Sequence, residues 1–118
     1  MSSKPKVYRE IIDELVDVCH HGQGQIGSNR ARAGLWNQNA TPNYLPDQHR
    51  INALLHRLAP PERETLAQML AEAFEGGVFE TLKALESFEI APFVGGYEGS
   101  PFHDFIGRLA DWDWPEQD

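Results

Sequence analysis

Residues 59–90, APPERETLAQMLAEAFEGGVFETLKALESFEI, carry the longest helical signal in the chain, and their reading decides the fold. Pro61 suits a first helical position, where its missing N–H would have had no partner, and Glu62 and Glu64 follow where the positive end of a helix dipole favours carboxylates. Leu66, Met69, Leu70, Ala73 and Phe74 then fall on the i, i+3, i+4, i+7, i+8 template of an amphipathic helix. Gly76 and Gly77 interrupt the stripe, which resumes as Val78, Phe79, Leu82, Leu85 and Phe88 with its centre displaced by roughly a third of a turn. The displacement predicts two helices, 61–75 and 78–90, joined at the glycines. A single helix bent there is the alternative, because each Gly costs only about 1 kcal/mol.

Outward from this stretch the same periodicity recurs. Val7, Ile11, Leu15 and Val18, widened by Ile12, Val16 and Cys19, predict a helix over 6–21 whose apolar arc covers nearly half the circumference. Ile51, Leu54, Leu55 and Leu58 predict a helix over 46–58 with a narrower stripe. Past the turn-rich link APFVGGYEG, Ser100 and Pro101 open a short helix over 101–110, with Asp104 and Arg108 spaced for an i, i+4 ion pair. The expectation is an all-α fold: a compact bundle of four main helices plus the short C-terminal one, with a long ordered loop, 22–45, between the first two. The 118 residues suit a single domain with a flexible tail at 1–5, large enough to bury about two thirds of the surface of the unfolded chain.

Charge and cysteine usage limit the function classes. Residues 1–58 hold seven Lys or Arg against five Asp or Glu, whereas 59–118 hold three against thirteen, so the net charge of −8 comes from the second half. Such a surface repels phosphate backbones, which argues against nucleic-acid binding and for a basic protein partner; a homodimer is the other partner expected. The structural alternative is that these acids are solvated helix faces. The single cysteine, Cys19, makes no internal disulfide, and the N-terminus lacks the apolar run of a signal peptide or membrane span. Both point to a reducing cytoplasm and away from a membrane.

Few residues carry a chemical signal. Glu14, Asp17 and His21 share a ridge of the first helix and form a weak candidate metal set, although the apolar arc places that ridge outside. His49 and His56 share the face opposite the stripe of their helix, which is where solvent-exposed histidines lie. His103, near a helix start, is a candidate base whose pKa the dipole would lower, or a bystander. Gly22, Gly24 and Gly27 spell G-x-G-x-x-G, but a helix precedes them where the dinucleotide fingerprint requires a strand. No nucleophile and base stand at a recognisable spacing, so the chain reads first as a non-enzymatic binding or regulatory module with no cofactor implied, the alternative being a small-molecule or anion-binding protein, conceivably an enzyme, that uses the 22–45 loop.

The best candidate binding surface is the 22–45 segment, GQGQIGSNRARAGLWNQNATPNYL, which contains no acidic residue. Ile26, Leu35, Trp36, Tyr44 and Leu45 are too apolar for a disordered linker. Asn29, Arg30, Arg32, Trp36 and Asn37, with the amides of Gln38 and Asn39, therefore form a neutral to basic, donor-rich surface suited to a small anionic ligand. Equally, Arg30 and Arg32 could bridge to the acidic second half and only hold the loop down. Ser28 is a candidate cap for a short helix across 29–36. At the C-terminus, Trp112 and Trp114 alternate with acids, as a lid on the core or as interface anchors would.

The segments EAFEGGVFETLKALE and YEGSPFHDFIGRLADWDWP resemble those of a family of small bacterial proteins of unknown function. The resemblance covers the last half of the chain. It implies a compact helical domain and carries no activity with it.

Overall fold

The computed structural model describes residues 4–115, and among these every regular element is an α-helix: α1 (Lys6–His21), α2 (Gln23–Ala33), α3 (Pro46–Arg57), α4 (Pro60–Ser87) and α5 (Pro101–Leu109). The all-α expectation holds, with two corrections to its details.

The first correction concerns α4. It runs unbroken through Gly76 and Gly77, so the helices expected at 61–75 and 78–90 are one. A Cβ on either glycine would meet nothing within 4 Å, and both are exposed. The pair neither packs nor turns the chain, and its intrinsic cost is small beside the burial of the flanking leucines. Phe88, expected on the second stripe, lies beyond the helix end and is 79 % exposed, because the backbone leaves helical geometry there and Glu89 takes a φ of +56°.

The second correction concerns the expected long loop, half of which is α2. Its inward face is built of small residues: Gly24, Ser28 and Ala31 are buried, and a Cβ on Gly27 would lie 3.3 Å from the Trp36 ring. Small side chains let the helix approach α4 closely. Ser28, expected as a cap, sits mid-helix and donates its hydroxyl to the Ala67 carbonyl at 2.7 Å. Because the helix spans 23–33 and not 29–36, Arg30 and Arg32 occupy its last turn, where the dipole favours cations. Gly34 ends it in the left-handed conformation (φ +74°). Its N–H bonds the Ala31 carbonyl while Leu35 N–H reaches back to Arg30 O.

The chain divides into two units. The first comprises Met1–His21 and Glu75–Asp118, the second Gly22–Phe74, so α4 contributes to both. In the second unit, Ala31, Leu55 and Ala67 form a buried centre against which Trp36, Ile51, Leu58, Leu66 and Leu70 pack. Met69 and Leu54, predicted on apolar stripes, are 59 % and 44 % exposed, and buried Asn52 takes the inward position beside Leu55.

In the first unit α1 packs on α5. The buried face of α1 is centred on Tyr8, Ile12 and Cys19, and Val7 is half exposed, which rotates the face predicted from the apolar residues alone. Tyr8 is drawn in by Asp104, a fully buried carboxylate to which its hydroxyl donates at 2.6 Å. Asp104 also accepts the Tyr97 and Glu98 N–H groups, each at 2.8 Å, and thereby folds the 95–99 turn around itself. The expected Asp104–Arg108 pair does not form. Arg108 instead binds Asp13 at 2.8 Å and lies over the Trp114 ring, while the Trp114 indole donates to the other oxygen of Asp13. Trp112 and Trp114 meet at 5.3 Å, and Trp114 packs on Tyr8 and Tyr97, so the C-terminal tryptophans lie over this unit's aromatic core. Residues 1–3 of the expected tail lie outside the described residues, whereas Lys4 donates to the Val94 carbonyl at 2.8 Å.

Candidate functional site

The second unit contains an open cleft of about 350 Å³ lined by Arg30, Leu35, Trp36, Asn37, Gln38 and Asn39. Its floor exists because α2 stops at Gly34 and the chain turns back. Asn52, from α3, accepts the Trp36 and Asn37 N–H groups at 2.7 and 3.1 Å and returns its own amide to the Asn37 carbonyl at 2.8 Å. One buried side chain thus satisfies three backbone groups of a segment that has no secondary structure of its own. Asn37 continues the scaffold, donating to Gln48 and accepting Asn39 N–H at 2.9 Å.

The five residues singled out in the sequence divide into three roles. Arg30, Trp36 and Asn37 line the cleft. Arg32 does not: it grips Glu64 through two parallel bonds, 2.9 and 3.1 Å, and also donates to Asn29 Oδ1 at 3.3 Å. The Arg32 fork holds the Glu64 carboxyl below its ordinary pKa, and the arginine is raised in return. Asn29 and Arg32 are therefore a tether to α4. Asn37 lines the cleft, but both ends of its amide are spent on the scaffold.

Arg30 is different in kind. Its guanidinium lies over the Trp36 ring, 5.5 Å from the centroid, and makes no hydrogen bond or ion pair among the described residues. Contact with an aromatic face leaves the N–H donors at the guanidinium edge unspent. Gln38 and Asn39 are exposed beside it. Leu35 and Asn52 were not legible as site residues. Leu35 is legible only as a residue too apolar for a disordered linker, and an isolated Asn beside an apolar stripe gives no sign that it faces inward.

Other candidates resolve differently. Asp17 and His21 meet at 3.0 Å as an exposed i, i+4 pair, but Glu14 does not complete a set with them. Among the described residues no three His, Cys, Asp or Glu side chains are grouped so as to hold a metal ion. His103 closes the start of α5, its Nδ1 accepting Ser100 N–H at 3.3 Å. No helix of the described residues is long and apolar enough to cross a membrane.

Among its described residues the chain is thus all-helical, with a polar cleft built on a buried amide. It belongs to the DUF6547 family, a family of unknown function, which matches residues 1–116. The match extends well beyond the C-terminal half that carries the resemblance. No curated protein and no solved structure matches it.

Proposed function

We propose that the protein is a non-enzymatic binding module, a helical bundle folding as one domain, whose recognition site is the cleft beside Arg30. The observation that carries this reading is the contrast between the two arginines of α2. Arg32 is fully engaged by a carboxylate of its own chain, whereas Arg30 is held on Trp36 with its donors open to a cavity. A volume of about 350 Å³ is at the small end of the range for ligand sites. The scaffold under it is satisfied without the ligand, as a preformed site requires. Titrating the ¹⁵N-labelled protein with a mixture of small polar fragments tests the assignment. Shifts should concentrate in residues 35–39 and the Trp36 indole, and Arg30→Ala should abolish them. Shifts that map elsewhere, or that survive the substitution, refute it.

A second reading is favoured by the charge distribution. The unit made of Met1–His21 and Glu75–Asp118 holds five Lys or Arg against fourteen Asp or Glu, net −9, while Gly22–Phe74 holds five against four, net +1. Acidity concentrated in one unit suits capture of a basic protein surface, with association that slows steeply as salt is added. Loss of partner capture on raising salt from 50 to 500 mM, with Arg30→Ala without effect, would select this reading over the first.

A further inference from the structure

Granting that the cleft beside Arg30 is a recognition site, the chemistry of its walls narrows what it recognises: we propose that it takes a ligand ending in a single carboxylate, seated on Arg30, with a short uncharged stem lying toward Leu35 and the amides of Gln38 and Asn39.

The Arg30 donors are unspent within the described chain. Arg30 presents a planar fork whose geometry matches the two oxygens of a carboxylate, and no carboxylate of the described chain occupies it. Its neighbours in the cleft are neutral: Leu35, Trp36 and three side-chain amides, with no Lys and no second arginine. With the Asn37 amide spent on the scaffold, those of Gln38 and Asn39 offer the donors and acceptors that fit a stem containing a peptide or other carbonyl group.

Electrostatics distinguishes one negative charge from two. Arg30 stands in the last turn of α2, and the cleft opens at that helix end, where the dipole leaves a partial negative charge of about half an electron. Arg30 offsets it. A monoanion placed on Arg30 is matched by the one cation of the cleft, whereas a dianion leaves a second negative charge with no cation beside it. Phosphate sites are built the other way round, on helix N-termini or several cations. The site therefore discriminates against phosphate by construction.

The same carboxylate chemistry comes from two sources, a free small acid or the C-terminus of a polypeptide, and the test separates them. The intact protein is titrated, by ¹⁵N–¹H spectra, with N-acetyl-leucine, N-acetyl-leucine amide, a tripeptide ending in leucine with a free C-terminus, and inorganic phosphate. N-acetyl-leucine should shift residues 35–39 and the Trp36 indole, and bind at least tenfold more tightly than its amide. Arg30→Gln should remove that tenfold preference while leaving the spectrum of the rest of the chain unchanged. Tighter binding of the tripeptide than of N-acetyl-leucine assigns the site to chain ends, and equal binding assigns it to small acids. Acid and amide binding equally well would overturn the carboxylate assignment while leaving the cleft a recognition site. Phosphate binding as tightly as the acid would overturn it too. If the cleft resonances respond neither to these probes nor to the fragment mixture, the recognition site itself is refuted along with its ligand.

Discussion

Tyr8 and Asp104, 96 residues apart in sequence and both fully buried, are joined by a 2.6 Å hydrogen bond that ties the N-terminal helix to the C-terminal one. Two backbone N–H groups complete the carboxylate's shell, so a charge far from water is held by three donors. Tyr8→Phe removes one donor and should cost about 1.5–3 kcal/mol, the range for a hydrogen bond to a charged group. Asp104→Ala strips the 95–99 turn of its anchor and leaves the Tyr8 hydroxyl and two N–H groups without partners, so it should cost more, about 3–5 kcal/mol. Urea unfolding of the two variants checks both the sizes and their order.

The glycines give a prediction with opposite signs at two places. Gly76 and Gly77 lie exposed inside α4 with open space where a Cβ would stand, so Gly76→Ala and Gly77→Ala should each stabilise the protein by about 0.5–1 kcal/mol. At Gly96 a Cβ would stand 2.6 Å from Asp104 Oδ2 and 2.9 Å from the Ser100 backbone. Gly96→Ala should therefore destabilise by about 1–3 kcal/mol, as overpacking does. Thermal melts of the three variants decide whether the unbroken helix and the tight turn are both correctly placed.

How much of this was legible beforehand depended on side-chain size. Helices with large apolar residues at helical spacing, those of Tyr8, Leu55 and Phe105, stand out because hydropathy reports volume and apolarity together. Over 22–45 the sequence shows a long loop with a candidate short helix across 29–36, and not the helix over 23–33, because the buried face of α2 is Gly24, Gly27, Ser28 and Ala31, residues whose contribution is close approach and not buried area. The glycine pair in α4 misled in the opposite direction, since a local propensity of about 1 kcal/mol was set against packing on both sides of it. At the candidate site the sequence brought forward Arg30, Trp36 and Asn37 together with Asn29 and Arg32. Only tertiary structure separates them, because what distinguishes Arg30 from Arg32 is the presence of Glu64, 32 residues further on, beside one and not the other. The expected ion pair of Asp104 with Arg108 fails for a similar reason: i, i+4 spacing shows which residue is within reach, not whether three better donors arrive first.

Cys19 gives a prediction in alkali. Burial, reinforced by the nearby charge of Glu75, pushes its thiol up to about 11 from an ordinary value of 9.0. A group raised on folding contributes stability that is complete below its unfolded pKa and is lost as pH rises through the folded one. Stability should therefore decline from about pH 9 toward 11, at a limiting slope of about 1.4 kcal/mol per pH unit. Tyr8, raised above its ordinary 10.0 by burial and then by its bond to Asp104, adds to the decline from about pH 10. Denaturant midpoints measured at half-unit steps should show a flatter profile between pH 9 and 10 in Cys19→Ala. An unchanged profile there would mean the thiol is not held in an apolar site.

The two arginines of α2 provide the prediction on which the site assignment depends. Arg32→Ala should lower the melting temperature at pH 7, because Glu64 and Asn29 lose their partner, while Arg30→Ala should leave it within error, because Arg30 is exposed and bonds to no group of the described chain. The ion pair also has a pH signature. Glu64 is held below its ordinary value of 4.5, chiefly by the hydrogen bonds from Arg32, so the pair's contribution is complete above that value and is lost as pH falls through the lower, folded pKa. The deficit of Arg32→Ala relative to the parent protein should accordingly be constant from pH 7 to 5 and shrink as pH falls below about 4. Arg30→Ala should show no such dependence. Were Arg30→Ala the variant that melts early, the residue would be part of the scaffold, and the cleft would lose the one cation on which its binding chemistry rests.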